Sequence, residues 1–401
     1  MPRPERRRWW WAGAALLLAA LAAAAWAGRG PLGEAAGWVS ARAQDGAAAV
    51  AGWASRLRDV AATAPEAEIE ERAGVTGSRS VLIVLGSGPG DCAFALVAVA
   101  PDSPPTLTLL PSSLLGMVPG YGEFTLAEAL AFEGPDLAGL TVTNELGVRL
   151  DEVLSLPAGD LAKALPALVA VDLPVPLYVP AGEGPAQALA AGPQQVPAAS
   201  VELLLFTAGE GSPFEWLQRQ GAAWRGVLAA VAADPGVADR LAAPRPPGSG
   251  LADLLLAAAT ADDLLLGALP VESVTTLGGD ALAPSAEAAT EFVPARLGHL
   301  LLRAGERPRV EVLNGNGRIG ATRVVAEAVV RRGFRVVRTD NADRFDYAST
   351  LVIAQGEDAQ SAAREVAGIV GVPTVYLEEA APSLVVEVSI IVGLDIPAGE
   401  A

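Results

Sequence analysis

Continuous apolar runs and helical spacings alternate along the middle of the chain. Residues 80–85 are apolar throughout and end in a glycine-rich turn, which is typical of a strand buried on both faces. Residues 93–100 and 106–110 repeat this pattern. Helices are predicted at 125–133, 137–147, 161–169 and 213–232, and further strands at 174–179 and 201–206. The mixture predicts a layered α/β domain with a mixed sheet over residues 77–276.

The end of the chain shows the alternation of strand and helix expected of a second, smaller α/β unit. Residues 310–313 form an apolar strand, and residues 320–332 carry apolar side chains on one helical face before Gly333 ends the helix. Further strands are predicted at 334–338, 350–354, 375–377 and 385–392, and a second helix at 360–370. This unit covers residues 308–396, and residues 277–307 are predicted to link it to the first.

Two structures fit the apolar and nearly uncharged stretch 251–269, namely a pair of packed helices or a second membrane span. Asp253, Asp262 and Asp263 lie within the stretch, and proline and glycine flank it. Charged side chains are costly inside a bilayer, so the pattern favours the packed helices.

A charge-free run at residues 9–27 predicts a transmembrane helix. Its 19 residues would extend about 28 Å as a helix, close to the hydrocarbon thickness of a bilayer. Tryptophans lie at both ends, where indole rings favour the membrane interface, and arginines precede the run. Residues 1–8 are therefore expected in the cytoplasm and the body outside, anchored by a single pass. A signal peptide cleaved after residues 25–27, Ala-Trp-Ala, is the alternative, and it exports the body as well.

Residues 28–76 are rich in alanine, and larger apolar residues recur there at near-helical spacing, among them Trp38, Trp53 and Leu57. The spacing predicts a juxtamembrane helix or stalk. A poorly ordered alanine-rich spacer is the alternative.

Charge and composition exclude several classes of function. The net charge is −18, and because residues 1–8 carry a net +3, the remainder carries −21. Such an acidic body repels phosphate backbones, so no nucleic-acid partner is expected. Cys92 is the only cysteine, which excludes an intramolecular disulfide and a CxxC metal site. The only histidine, His299, lies in a leucine-rich segment without a nucleophile signature, which favours a structural role.

The C-terminal unit carries an ordered series of phrases. Residues 310–322 read Val-Glu-Val-Leu-Asn-Gly-Asn-Gly-Arg-Ile-Gly-Ala-Thr, a Gly-Phe step stands at 333–334, and Gly-Leu-Asp closes the unit at 393–395. Together these phrases resemble the LytR C-terminal domain over roughly residues 308–396.

The turn after the first strand of this unit is its candidate ligand site, formed by Asn314, Gly315, Asn316, Gly317 and Arg318. Asparagine and glycine tolerate positive φ in a tight strand-to-helix turn, which favours a structural reading. Backbone N–H groups at the start of the following helix can also hold an anion, so a ligand role stays open.

The first unit resembles the LytR-CpsA-Psr family in the order of its elements and in three phrases. These are Val-Pro-Gly-Tyr at 118–121, Ala-Leu-Ala-Phe-Glu-Gly-Pro at 129–135 and Thr-Asn-Glu-Leu-Gly-Val at 143–148. The resemblance implies an extracytoplasmic phosphotransferase. Members of the family move glycopolymers from a polyprenyl-pyrophosphate carrier onto peptidoglycan, using Mg²⁺ and several arginines.

Most of the charged positions that this transfer needs are replaced here. The resemblance aligns uncharged residues with the family's metal ligand and arginines at 86–87, 111–113, 206–207 and at Trp216. Only Asp91 and Arg219 remain of those charges, with Gln220 beside the latter. Arginine forks and a carboxylate-bound Mg²⁺ normally offset the charge of a pyrophosphate, so their loss predicts a domain without catalysis.

The sequence therefore predicts a non-catalytic, membrane-anchored cell-envelope protein without a cofactor. It would bind wall glycopolymer or peptidoglycan, or an envelope partner. Arginines outnumber acids over residues 303–338, and a basic face there would suit an anionic wall polymer. Solvated or locally paired arginines are the alternative. A Mg²⁺-dependent phosphotransferase with a rearranged site is the second hypothesis, and a regulator of transcription, which the acidic body and outward topology oppose, is the third.

Overall fold

The computed structural model describes residues 58–60, 74–86, 88, 90–181, 184–243, 250–276, 279–379 and 385–396. The chain divides into two units, Met1–Arg58 and Asp59–Ala401, and the second is described below. The predicted cytoplasmic tail 1–8 and transmembrane helix 9–27 lie outside the described residues, as does most of the predicted stalk 28–76. Three residues within that stalk, Arg58–Val60, form a strand, β1. In the described ranges no helix is both long and apolar enough to cross a membrane.

The described chain alternates strands and helices throughout. Strands of the first half are β2 (Arg79–Leu85), β3 (Ala93–Ala100), β4 (Ser103–Leu110), β5 (Leu115–Val118), β6 (Gly122–Thr125), β7 (Glu152–Leu156), β8 (Leu168–Leu173), β9 (Leu177–Ala181), β10 (Gly184–Leu189), β11 (Gly192–Pro197) and β12 (Leu265–Ala268). Its helices are α1 (Leu126–Glu133), α2 (Pro135–Leu146), α3 (Asp160–Ala164), α4 (Ala198–Phe206), α5 (Pro213–Ala233), α6 (Gly236–Ala242) and α7 (Leu251–Thr260). The second half contains β13 (Val271–Thr276), β14 (Gly279–Pro284), α8 (Val293–Leu297), β15 (Arg309–Asn314), α9 (Ala321–Val330), β16 (Arg335–Asn341), β17 (Leu351–Gln355), α10 (Gln360–Val370), β18 (Val375–Glu378) and β19 (Val388–Val392).

A mixed sheet in the order β12-β4-β3-β2-β7 forms the centre of the first half. Strands β2, β3 and β4 are antiparallel, whereas β7 and β12 join the two edges in parallel. Leu82 and Val84 face one apolar core, and Val81 and Ile83 face the other. Both faces are covered, which explains why these strands are apolar at almost every position. The predicted layered α/β domain with a mixed sheet is confirmed.

Local signals fix where two of the main helices begin. Thr125 caps α1 and Ser212 caps α5, and in both a glutamate three residues later completes a capping box. Pro213 occupies the first turn of α5, where the missing N–H costs nothing. The helices predicted at 125–133, 137–147 and 213–232 are therefore confirmed to within a few residues.

Three elements differ from the sequence predictions. The predicted strand 201–206 is the helix α4, because a short run that is apolar on every side does not distinguish strand from helix. The predicted helix 161–169 ends at Ala164, since Leu165 precedes a proline and adopts extended backbone. The predicted helix pair over 251–269 is a single helix, α7, followed by the strand β12.

A second sheet contains β18, β17, β19, β15 and β16 side by side. Neighbours are parallel except β17 and β19, which run antiparallel. Helices α9 and α10 bury alanine and valine against this sheet. The α/β unit predicted at the end of the chain is confirmed. The segment 277–307, predicted as a linker, contains β14 paired with β13 and short helices that bury Ala288, Val293 and Leu297.

The two sheets share one apolar core. That core joins Leu82 and Phe94 of the central sheet to Val310 and Val325 of the C-terminal unit. Helices α1 and α2 lie in this shared layer, whereas α3 to α7 cover the opposite face of the central sheet. The chain between Asp59 and Ala401 is consequently one compact unit rather than two separately packed domains.

Asn144 makes the central polar contact of the shared layer. This side chain is fully buried on α2, and its Nδ2 donates to the carbonyls of Met117 at 3.1 Å and Val336 at 2.9 Å. Its Oδ1 accepts the Val336 N–H at 2.9 Å. The amide thus satisfies both backbone groups of a residue on β16, the last strand of its sheet.

Arg307 reinforces the same contact. Its guanidinium donates to the carbonyl of Asn144 at 2.7 Å. It also donates to the carbonyls of Gly333 at 3.1 Å and Phe334 at 2.9 Å. Burial and, to a smaller extent, the charges of Arg335 and Arg303 lower the pKa of Arg307 to about 10, while Glu145 opposes the shift.

Replacing Asn144 is expected to destabilise the whole described unit. In Asn144→Ala the Val336 N–H loses its partner inside a dry layer, so the free energy of unfolding should fall by about 3 kcal/mol. Urea denaturation measures this change. Asn341→Ala, an exposed asparagine on the same strand, is the matched control and should change stability by less than about 0.5 kcal/mol. A fall in the free energy of unfolding of less than about 1 kcal/mol for Asn144→Ala would contradict the stabilising role of its hydrogen bonds to Val336.

Candidate functional site

Asp91 lies in the turn between β2 and β3. Its backbone N–H donates to the Gly88 carbonyl at 3.1 Å, and its side chain is exposed. Gly86 has φ +80°, and a Cβ there would lie 1.8 Å from the Asp91 carbonyl oxygen, so only glycine fits. Within the ranges the structure describes, no three histidine, cysteine or acidic side chains converge as metal ligands would. A lone exposed carboxylate does not fit a Mg²⁺ site built on two protein carboxylates.

Cys92 follows Asp91 and points into the core. The side chain is fully buried. Burial, and to a smaller extent the charge of Asp91, raises the pKa of this thiol from 9.0 to about 11. The neutral thiol is therefore the favoured form in the folded protein, and a reactive thiolate is not available there near neutral pH.

Arg219 lies on α5, where it is 1% exposed. Its Nη1 donates to the Pro176 carbonyl at 3.3 Å, and its Nη2 donates to the Ala208 carbonyl. Burial lowers the pKa of Arg219, and Glu215 partly offsets this. The guanidinium thereby ties two loops to the helix. Among the described residues no hydrogen bond or ion pair joins Arg219 to Asp91, the other surviving charge.

The neighbours of Arg219 are also directed inward. Trp216 is buried, and Gln220 donates from Nε2 to the Leu205 carbonyl at 3.1 Å. Among the described residues the Trp216 Nε1 and the Arg219 Nε have no hydrogen-bond partner. The first turns of α5 thus form part of the core beneath the central sheet, in agreement with the apolar residue at position 216.

The Asn-Gly turn between β15 and α9 is closed by its own side chains. Asn314 Oδ1 accepts the N–H groups of Asn316 at 3.2 Å and Gly317 at 2.9 Å. Asn316 is 7% exposed, and its Nδ2 donates to the Gly393 carbonyl at 2.7 Å. Its Oδ1 accepts the Arg318 N–H at 2.9 Å. The two asparagines therefore satisfy the turn and fasten it to the last strand.

The glycines of this turn are fixed by space and backbone conformation. A Cβ at Gly315 would lie 2.7 Å from Ile391 Cγ2 and 2.8 Å from Tyr347 Cδ2, and Gly317 has φ +68°. Arg318 remains exposed, and its Nη1 is 3.5 Å from the Leu394 and Ile396 carbonyls. These contacts explain the sequence of the turn without a ligand. The predicted ligand role of the turn stays a hypothesis.

Comparison with known proteins identifies a relationship for the C-terminal α/β unit, residues 308–396. Residues 307–395 match the family model described as LytR cell envelope-related transcriptional attenuator. The LytR C-terminal resemblance predicted over 308–396 is confirmed. No curated protein matches the chain.

Solved structures similar to the chain include an enzyme of the LytR-Csp2A-Psr type from Actinomyces oris. It is 19% identical, with 57% of this chain and 94% of that chain covered and a TM-score of 0.43. Bacillus subtilis TagV is 12% identical, with 57% and 98% covered and a TM-score of 0.46. A transcriptional regulator from Enterococcus faecalis is 16% identical, with 56% and 89% covered and a TM-score of 0.45.

The arginines of the LytR C-terminal unit are mostly neutralised. Salt bridges join them to acids of this unit and of the first half, as in Arg335 with Glu145 at 2.9 Å and Arg323 with Glu133 at 2.8 Å. Further pairs are Arg303–Glu365, Arg309–Glu387, Arg331–Glu327, Arg338–Glu311 and Arg338–Asp340. Most arginines of the expected basic face are thus in ion pairs, several of them partly exposed and some reaching the first half, which is the alternative that the sequence left open.

The raised pKa of the Cys92 thiol predicts that the free energy of unfolding depends on pH. Its folded pKa of about 11 lies above the ordinary 9.0, so its contribution is fully present below pH 9 and is lost as the pH rises towards 11. Urea denaturation between pH 8 and 11 should show a smaller fall in stability for Cys92→Ala than for the unchanged protein. Asp91→Asn, which removes the second cause of the shift, serves as the control and should make the fall smaller, because its folded thiol pKa lies closer to 9.0. Identical pH profiles for all three proteins would contradict the assignment.

The hydrogen bonds of Asn316 predict that replacing this residue destabilises the folded protein. Asn316→Ala removes the bond to the Gly393 carbonyl and the acceptor for the Arg318 N–H, so the free energy of unfolding should fall by about 2 kcal/mol. Arg318→Ala, in the same turn but exposed, should leave stability within about 0.5 kcal/mol of the unchanged protein. Equal effects of the two substitutions in thermal and urea denaturation would argue against a structural turn.

Proposed function

We propose that this protein is a non-catalytic component of the bacterial cell envelope that binds a partner at the membrane surface. The match of residues 307–395 to the LytR cell envelope-related family model supports this compartment. The charge-free run at 9–27 supplies a single-pass anchor, with residues 1–8 in the cytoplasm and the body outside. Wall glycopolymer, peptidoglycan or an envelope protein is the partner.

The observation that carries this proposal is that Arg219 is buried and hydrogen-bonded to backbone carbonyls. A phosphotransferase acting on a lipid-linked pyrophosphate needs guanidinium groups that reach the phosphate oxygens. Arg219 is 1% exposed, and it donates instead to the carbonyls of Pro176 and Ala208. The one arginine that survives from the expected charged set is therefore occupied inside the protein.

The positions of Asp91 and Trp216 support the same conclusion. Asp91 is exposed in its turn, while Trp216 fills a buried position where the resemblance expects an arginine. Removing one preorganised electrostatic group typically costs about 10²-fold or more in rate, so the loss of several is incompatible with useful turnover. Mg²⁺ belongs only to the alternative of an active phosphotransferase.

Pairing of the arginines bears on the choice of partner. Because most cations of the LytR C-terminal unit are in ion pairs, attraction to an anionic polymer is weaker than the sequence count indicates. Binding through shape and hydrogen bonds then gains in importance over binding through net charge. The body as a whole is also strongly acidic.

A transfer assay tests the non-catalytic function. Full-length protein in detergent, supplied with Mg²⁺, a polyprenyl-pyrophosphate-linked oligosaccharide and peptidoglycan, is expected to release no polyprenyl monophosphate above the protein-free rate. The same assay on Trp216→Arg, which restores a cation, is expected to stay inactive because Arg219 remains occupied. Mg²⁺-dependent release by the unchanged protein would overturn the proposal in favour of the phosphotransferase.

A stability measurement tests the structural role of Arg219. Arg219→Lys keeps the charge but replaces the planar fork by one ammonium group, which does not span both carbonyls. The free energy of unfolding should fall by about 2 kcal/mol. Arg225→Lys, an exposed arginine on the same helix, is the matched control and should change it by less than about 0.5 kcal/mol. An unchanged melting temperature for Arg219→Lys would contradict the assigned role.

A further inference from the structure

A groove of about 550 Å³ runs between the edge strand β12 and helix α5. One wall is main chain, residues 266–271. The other wall consists of side chains spaced three or four residues apart along one face of the helix, which are Phe214, Leu217, Gln218, Gly221 and Arg225. The helical wall extends about 16 Å, and the strand wall matches it in length. The groove therefore has the proportions of an extended peptide of five or six residues.

The strand wall offers unpaired backbone groups. Strand β12 is the last strand of its sheet, and its one strand neighbour among the described residues is β4. The Leu269 N–H donates to the Leu109 carbonyl at 2.9 Å. Because backbone groups alternate in direction along a strand, Leu265 and Gly267 also face β4, while Leu266 and Ala268 direct their N–H and C=O groups away from β4, at the free edge of the sheet that borders the groove. Pro270 ends this row of donors.

The helical wall supplies apolar contact and space. Phe214 is 40% exposed at one end. Gly221 lies midway, and a Cβ there would lie 3.6 Å from Leu266 Cδ2, so the missing side chain leaves space in the groove where its two walls come close. A leucine at this position would extend into the groove.

Arg225 provides the charge of the groove. It is exposed, and in the described chain it takes part in no ion pair, unlike most arginines of this protein. Its Nη1 lies 4.0 Å from the Cβ position of Gly221, which places the guanidinium along the groove. No acidic residue lines the groove. A cation without a local partner in a protein of net charge −18 selects a negatively charged ligand.

We propose that this groove binds an extended, acidic segment of a partner protein, which adds as a strand to the free edge of β12. Backbone groups of Leu266 and Ala268 pair with the segment, an apolar side chain packs on Phe214 and Leu217, and a carboxylate meets Arg225. The inference rests on the proposed partner-binding function and names the chemistry of the partner. An apolar lipid tail would fill the groove equally well but would leave the strand donors and Arg225 unmatched.

Fluorescence anisotropy tests the proposal on the full-length protein in detergent. The probe is a pool of labelled hexapeptides in which Val, Ile or Leu alternates with Asp or Glu, and a pool with Lys at the charged positions is the control. The acidic pool is expected to bind and the basic pool is not. Arg225→Glu should weaken the acidic pool about tenfold or more and strengthen the basic pool, because the charge is reversed.

Two variants separate strand addition from simple apolar binding. Ala268→Pro removes an outward N–H while leaving the pairing with β4, and proline is tolerated on an edge strand, so affinity should fall about fivefold or more. Ala268→Thr keeps the N–H and is the matched control. Gly221→Leu fills the groove from the helical wall, where it would contact the Leu266 side chain, and leaves the backbone N–H groups of β12 in place. It should abolish binding, which keeps the test decisive if the proline variant does not fold. Melting temperatures establish which variants are folded.

Failure of the groove as a peptide site and failure of the proposed non-catalytic function give different experimental results. Absence of binding by the acidic pool, or binding that folded Ala268→Pro and Gly221→Leu leave unchanged, overturns the groove as a peptide site. Either result leaves the transfer assay unaffected. Release of polyprenyl monophosphate in that assay would overturn the non-catalytic function whatever the groove binds.

Discussion

The side-chain amide of Asn144 determines how the two halves of the described chain are joined. It meets the N–H and the carbonyl of Val336 and so closes part of an edge strand that would otherwise expose its backbone groups. Burying this amide would cost several kcal/mol without those partners, so the layer is stable only when helix and strand are in register. Arg307 adds a buried guanidinium that donates to carbonyls from both halves. Polar groups placed inside an apolar layer thus specify one arrangement, while the apolar surface around them supplies most of the stability.

This constraint also accounts for which family-like phrases persist in the first half. Gly120, from the phrase at 118–121, approaches the C-terminal helix so closely that a Cβ would lie 2.7 Å from the Arg323 Cα. Asn144 and Glu145, from the phrase at 143–148, bind Val336 and Arg335. These positions are required by packing against the second unit.

The sequence predicts most strands and helices because burial on both faces leaves long apolar runs that end at glycine or proline. It fails at 201–206 and in the second half of 251–269, where short apolar segments carry no period and the neighbouring elements decide the conformation. The candidate turn Asn314–Arg318 is recognisable from composition, since asparagine and glycine have few other uses in such a position. The inward direction of Arg219 is not, because an arginine one turn into a helix gives no sign of which carbonyls it will meet. Asn144 is recognisable in the sequence as a polar residue within a mostly apolar helix, but composition alone does not predict which backbone groups it binds.

Electrostatics link the packing to the choice of partner. The acidic chain uses most of the arginines in its C-terminal unit to neutralise its own carboxylates, including pairs that cross between the two halves, such as Arg323 with Glu133. Paired charges of this kind add specificity of arrangement but leave little field to attract a polymer. An exposed cation without an ion-pair partner among the described residues acts differently, because its hydrogen-bond donors stay available to a ligand carboxylate. Selectivity in this protein is therefore expected to arise from Arg225 and the free edge of β12, where a single charge and a directional row of hydrogen-bonding groups act together, rather than from the more numerous arginines of the C-terminal unit.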